Sequence, residues 1–304
     1  MKKTFAVLLA AMLTGTMALA ASAQTEVWEA DQGKVAFEVK KATTQWSPDG
    51  KYEEGEYYDI DVKDTWISTV CGDQNGDGSQ NAKTAALDVK VAMSYDDENL
   101  YLCLQYVDPD GFNFTTAANP SFWDGDILQF GASDANETGS DNRLEIGIGQ
   151  YSDSGDKATM NWADWKGSGF MADVAQYADY FEVTFDGNNV MYELCVPFKT
   201  FSDVAPTVGA QYKVCFTFGW SMENGGYNMW QLASGITGGK SIENHATITL
   251  AEAPVVETEA ETEAPAADET VTTTATAPQT FDAGVIAAVA AVVSAAGYAV
   301  AKKH

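Results

Sequence analysis

From about residue 85 to residue 250 the apolar positions of the chain recur with a period of two. Leu87, Val89, Val91 and Met93 alternate with Asp88, Lys90, Ala92 and Ser94, the mark of a strand with one face buried. After the polar turn at residues 95–99, Leu100, Leu102, Leu104 and Tyr106 take one face while Tyr101, Cys103, Gln105 and Val107 take the other, so the two segments predict a hairpin. Further strands are expected at residues 127–131, 143–149, 180–185, 190–197, 212–220 and 246–250, separated by Asp, Asn, Gly and Ser clusters. Asp186-Gly187-Asn188-Asn189 reads as a tight hairpin turn. Residues 35–39 and 57–62 are expected to supply edge strands. No long amphipathic helix competes, and strands that each bury one face need a second sheet to cover it. The pattern therefore predicts an all-β fold, an antiparallel two-sheet β-sandwich of jelly-roll type.

The positions opposite the apolar ones have an unusual composition. Tyr101, Gln105, Gln129, Arg143, Glu145, Glu193 and Thr217 fall there, together with three of the four cysteines. Amides, an arginine and carboxylates each present paired hydrogen-bonding atoms, which suits adjacent hydroxyls of a polyhydroxylated ligand. The other reading is a concave sheet face covered by the Gly-rich loops.

Outside the strand pattern the chain changes character twice. Residues 1–23 place Lys2 and Lys3 before an apolar run and end in Ala21-Ser22-Ala23, as an export signal does. Residues 24–250 are read as one sandwich domain. Residues 251–281 are Glu, Thr, Ala and Pro with almost no large apolar side chain, the composition of a disordered acidic linker that acts as a stalk. Residues 282–304 carry an uncharged, Ala-rich run from Ala283 to Ala301 closed by Lys302 and Lys303, which reads as a C-terminal transmembrane helix with a basic tail. The expected location is the outer face of the cytoplasmic membrane, at the cell surface.

A formal net charge of −27, from 44 acidic and 17 basic residues, makes nucleic acid an implausible partner. A neutral ligand or a cation meets no such repulsion. Cys71, Cys103, Cys195 and Cys215 are an even number in an exported chain, so disulfides are permitted in any of three pairings. With no CxxC pair and only His245 in the sandwich, a structural zinc site has little support.

All eight tryptophans precede the stalk: Trp28, Trp46, Trp66, Trp123, Trp162, Trp165, Trp220 and Trp230. Indole rings stack on the apolar C–H faces of sugars, so tryptophans in loops beside amides and acids are the equipment of a saccharide site. Trp123 stands where a loop enters a strand, in SFWDGDILQFG. Trp162, Trp165 and Trp230 also read as loop residues.

Taken in order, VAMSYDDENLYLCLQYVDPD (Val91 to Asp110), WDGDILQF (Trp123 to Phe130), NRLEIGI (Asn142 to Ile148) and YELCVPFKTF (Tyr192 to Phe201) resemble the family 9 carbohydrate-binding modules and their DOMON-like relatives. The resemblance implies a β-sandwich that binds saccharide without catalysis. It implies Trp123 as one stacking wall, Gln129 and Arg143 as hydroxyl partners, and Trp220 or Trp230 as a second wall; Glu145, on the polar face, joins them as a candidate saccharide contact. Gln129 stands where the family carries an acid. Haem-binding relatives would need axial ligands from His245, Met93, Met191, Met222 or Met229.

Two further chemistries are open. Asp73, Asn75 and Asp77, followed by Gly78, have the spacing of the first half of a Ca2+-binding loop, with Thr84 where a bidentate Glu is wanted. Asp108, Asp110 and Asn113 are a weaker candidate for the same ion. Glycoside hydrolysis would need two facing carboxylates, for which Glu145 and Glu193 are available. The competing reading from another class is a structural or adhesive surface protein that holds other proteins.

Overall fold

The computed structural model describes residues 24–26, 35–72, 87–115, 125–221, 227–236 and 240–255. The export-signal segment, most of the stalk, the 283–301 run and the Asp73–Asp77 loop lie outside them. Among the described residues no helix is long and apolar enough to cross a membrane.

Fourteen strands occur in the described residues: β1 (Gln24–Glu26), β2 (Ala36–Lys40), β3 (Tyr58–Asp59), β4 (Ile67–Gly72), β5 (Lys90–Tyr95), β6 (Asn99–Val107), β7 (Ile127–Asp134), β8 (Leu144–Gln150), β9 (Lys157–Ala163), β10 (Phe181–Asp186), β11 (Asn189–Pro197), β12 (Gln211–Ser221), β13 (Tyr227–Leu232) and β14 (Ala246–Ala251). They form two sheets. Nine strands run in the order β1-β4-β13-β12-β7-β8-β9, with β14 joining β12 to β2, and five in the order β10-β11-β6-β5-β3. The predicted hairpin is β5–β6, with Val91 opposite Leu104 and Met93 opposite Leu102. Gly187 and Asn188 form the two-residue turn between β10 and β11, Gly187 at a φ of 59° that glycine adopts without strain.

The apolar faces of both sheets meet in one core. Leu102, Leu104, Tyr106, Tyr192 and Leu194 come from the five-stranded sheet, and Leu128, Phe130, Ile146, Phe216, Phe218 and Trp230 from the nine-stranded one. Phe218 stacks on Tyr106 across the interface, ring centroids 4.1 Å apart, and on Trp230 within its own sheet at 5.4 Å.

Three expectations are corrected. The sandwich is not wholly antiparallel, because β2 and β14 pair in parallel at the edge of the larger sheet. Trp162 and Trp230 are strand residues, on β9 and β13, and Trp165 is buried in the core behind a short 3-10 turn. Their segments, KATMNWA and YNMWQL, mix polar and large side chains, so the alternation is diluted by Lys, Asn and Gln.

Candidate functional site

A sandwich has two outer faces, and the polar positions that alternation grouped together divide between them. Gln129, Arg143, Glu145 and Thr217 lie outside the nine-stranded sheet, while Tyr101, Gln105 and Glu193 lie outside the five-stranded one. Glu145 and Glu193 therefore point away from each other through two sheets, which removes that pair as the carboxylates of a hydrolase. Met93 lies in the core between the sheets, and His245 and Met191 on opposite outer sides, so His245 cannot share a haem with either methionine.

On the nine-stranded sheet the register places Gln129 beside Thr217 on one neighbour and Gly147 on the other. Gly131, Gly149 and Gly219 occupy surrounding positions of the same face; His245 and Ile236 pack over Gly131, Ile127 and Thr115 lie against Gly149, and the Gln129 side chain is fully buried. Thr217 continues to Gln231 on β13. The anchor of this face is Glu145, fully buried. Its Oε1 accepts from Gln129 Nε2 and from Lys240 Nζ, and its Oε2 accepts from Arg143 Nε at 2.7 Å and NH2 at 2.6 Å. Arg143 also donates through NH1 to the Ser140 carbonyl. Arg143 and Glu145, expected as ligand contacts, thus spend their hydrogen bonds on each other and on the loop that carries Lys240. A buried carboxylate between two cations is satisfied, and its role toward Gln129 is support.

Gln129 differs from them. With Nε2 fixed by Glu145, its Oε1 is buried without a hydrogen-bond partner among the described residues. An orphaned acceptor of this kind costs about 1–3 kcal/mol relative to a satisfied one. Next to this ring, His245 packs over Gly131, where a Cβ would come within 3.2 Å of the imidazole. Burial pushes its pKa down to about 3, so it is neutral at physiological pH. At the β9 edge Trp162, half-buried, packs with Ile127 and Ala158. It was legible in the sequence as one of the tryptophans, but without its strand its face was not.

The tryptophans expected as walls fall differently. Trp230 is only 3% exposed and stacks on Phe216 and Phe218 inside the core, so it is not a sugar platform. Its residue type fitted both roles, and burial between the sheets decides. Trp220 lies on β12, with its side chain outside the description, and Trp123 lies in residues that are not described.

The outer face of the five-stranded sheet is crossed by the segment 42–57, a strap. Its Trp46 stacks on Tyr101, centroids 5.1 Å apart, and donates from Nε1 to the Tyr57 hydroxyl. Tyr57 in turn donates to Glu193 Oε1 at 3.0 Å, and Gly50 N donates to Glu193 Oε2 at 2.6 Å. Burial pushes the Glu193 pKa up to about 7, against the lowering effect of these two hydrogen bonds. Cys103 and Cys195 lie on this face and Cys215 on the other, all buried and unbridged. No disulfide therefore joins them.

The second calcium candidate, Asp108, Asp110 and Asn113, lies among the described residues. Asp108 Oδ1 accepts from the Asp110 N–H, while the Asn113 N–H is donated to Asp126. Among the described residues no group of three His, Cys, Asp or Glu side chains could hold a metal ion.

No protein-family profile matches the chain, and no curated protein does. Among solved structures it is similar to a family 9 carbohydrate-binding module from Caldicellulosiruptor kristjanssonii. In complex with cellotriose, that module is 12% identical with a TM-score of 0.46, covering 72% of this chain and 95% of its own. In complex with glucose the corresponding figures are 10%, 0.45, 72% and 97%.

Proposed function

We propose that the sandwich is a non-catalytic binder of neutral poly- or oligosaccharide, displayed at the cell surface by the stalk and the C-terminal apolar segment. The observation that carries this reading is the Gln129 amide. Its nitrogen is fixed by Glu145, and its oxygen is left as a buried acceptor without a partner among the described residues. A ligand hydroxyl would satisfy that oxygen, reaching it by displacing side chains such as His245 and Ile236 that pack over the neighbouring Gly131. Trp162 is the half-buried indole on the same side, and Trp123, three residues before Asp126 at the entry to β7, is the second stacking wall in this reading. Arg143, Glu145 and Lys240 hold the amide in place. The strongly acidic chain favours neutral sugars over uronic acids. A calcium ion in the Asp73, Asn75 and Asp77 loop would add a structural cofactor.

A glycan array probed with the wild type, Trp123→Ala and Gln129→Met tests the reading. The wild type should bind at least one class of glucan or xylan, and each variant should weaken it about tenfold, one lost stacking or hydrogen-bonding partner. Binding that survives both substitutions removes the site. No saccharide binding at all points to the adhesive, protein-holding reading.

A further inference from the structure

We infer that the outer face of the five-stranded sheet carries a second saccharide site, on the opposite side of the sandwich from Gln129. This rests on the saccharide reading and extends it to a face that Gln129 does not belong to. Two cavities open there, of about 390 Å³ and 260 Å³, and both are lined by Lys90 and Gln105. The larger is of the size usual for small-molecule sites, roughly 300–1,000 Å³. Lys90, Gln105 and Met191 stand side by side on β5, β6 and β11 and form the floor. The strap forms a wall, because Gly50 lies so close to β10 that a Cβ would come within 2.5 Å of Thr184.

Three features of this groove are hard to explain as an ordinary solvated surface. Tyr52 is 41% exposed, yet it is held rigid: its ring stacks on Tyr57 at 5.9 Å and its hydroxyl donates to Asp59 at 3.0 Å. An exposed aromatic ring whose orientation is already fixed loses little entropy when a sugar stacks on it. Among the described residues Gln105 Nε2 reaches only sulfur atoms, Met191 Sδ at 3.4 Å and Cys103 Sγ at 3.8 Å. Such contacts are weak, and both ends of the amide have capacity for hydroxyls. Lys90 forms no ion pair among the described residues, although Asp59 and Asp88 line the same cavities, so its ammonium is free to donate. A ring to stack on, an amide with both functions unspent and a free ammonium are the partners a neutral sugar needs. The surrounding carboxylates of Asp59, Asp88 and Asp186 disfavour an anionic ligand.

Calorimetric titration of the full chain with cellohexaose and with xylohexaose reads the number of sites directly. Two binding events per chain are expected for the sugar that binds. Tyr52→Ala and the Lys90→Ala/Gln105→Ala double variant should each weaken one event about 5- to 10-fold and leave the other unchanged. Trp123→Ala should do the converse. Tyr52 and Lys90 are exposed, so an unchanged melting temperature will show that these variants fold. One event per chain, insensitive to Tyr52 and Lys90 but abolished by Trp123→Ala, overturns the second site and leaves the first. One event that is sensitive to Tyr52 and not to Trp123 upholds this groove and overturns the Gln129 site. No event with either sugar overturns both.

Discussion

The hydroxyl of Tyr57 donates to Glu193 Oε1 at 3.0 Å and thereby fastens the strap to the middle of the five-stranded sheet. The same carboxylate takes the Gly50 N–H, so one side chain of β11 holds two points of a segment far away in sequence. Glu56 and Asp49 face it from the strap and add repulsion to the cost of burying its charge.

Stability should therefore fall as the pH rises through neutrality. Glu193 binds its proton up to about pH 7 in the folded state, whereas in the unfolded chain it has lost it above about 4.5. The folded state holds the extra proton in that window, so its advantage is full below pH 4.5 and is lost by about pH 7, a difference of up to about 3 kcal/mol. Glu56 and Asp108 shift in the same direction and His245 in the opposite one, so the informative quantity is the difference between wild type and Glu193→Gln. Denaturant unfolding from pH 4.5 to 8 should show the variant with the flatter profile. Parallel profiles would mean that Glu193 titrates as an ordinary carboxylate.

Removing the Glu145 carboxylate should damage both stability and ligand binding. Glu145→Ala leaves the buried Arg143 without its partner, which costs about 3–5 kcal/mol, and frees the Gln129 amide to rotate. Lys240→Ala, at the more exposed end of the cluster, should cost less than about 1 kcal/mol. Urea titrations of the two variants measure the contrast, and equal losses would contradict a hub centred on Glu145.

Trp230 should behave as a core residue. Trp230→Ala is expected to destabilise the fold by about 3–5 kcal/mol, while Trp230→Phe keeps most of the stacking with Phe216 and Phe218 and should be far milder. If Trp230→Ala left the melting temperature intact and abolished sugar binding, its place would be at a surface site after all.

The thiols should be inert until the fold opens. Burial pushes Cys103 up to about 12 and raises Cys195 and Cys215 as well, so little reactive thiolate exists at pH 8. Iodoacetamide followed by mass spectrometry should leave all three unmodified in the native chain and label them in guanidinium. Rapid native labelling of Cys103 would show that the strap opens readily.

Much of the sandwich was readable in the sequence because strands with one buried face write their geometry as alternation. β6, β8 and β11 follow the expected segments within a residue, and β5 begins three residues after the alternation that starts at Leu87, since Leu, Ile and Val on one face leave little ambiguity. β9 and β13 escape the alternation, because β9 sets polar Thr159 and Asn161 beside the core-facing Ile148 and Ile146 and its apolar residues on the outer side, and β13 gives the main core only Trp230 and Leu232 among its described side chains. Alternation assigns a residue to one of two faces of its strand, but it cannot say which sheet the strand joins. Gln105 and Gln129 therefore seemed to share a surface, although the pairing of β6 with β11 and of β7 with β12 puts them on opposite sides. The strap could not be foreseen either, because the bond from Gly50 to Glu193 depends on long-range contact between a loop and a strand.

The parallel pairing of β2 with β14 also bears on how the domain takes load. β14 lies between β12 and β2, hydrogen-bonded on both sides, and the chain leaves it at Ala251. A pull transmitted along the strand from beyond that point meets both ladders in shear, so their bonds must yield together instead of peeling one by one. A pull on the chain beyond Ala251 would therefore be borne by both neighbours of β14 at once.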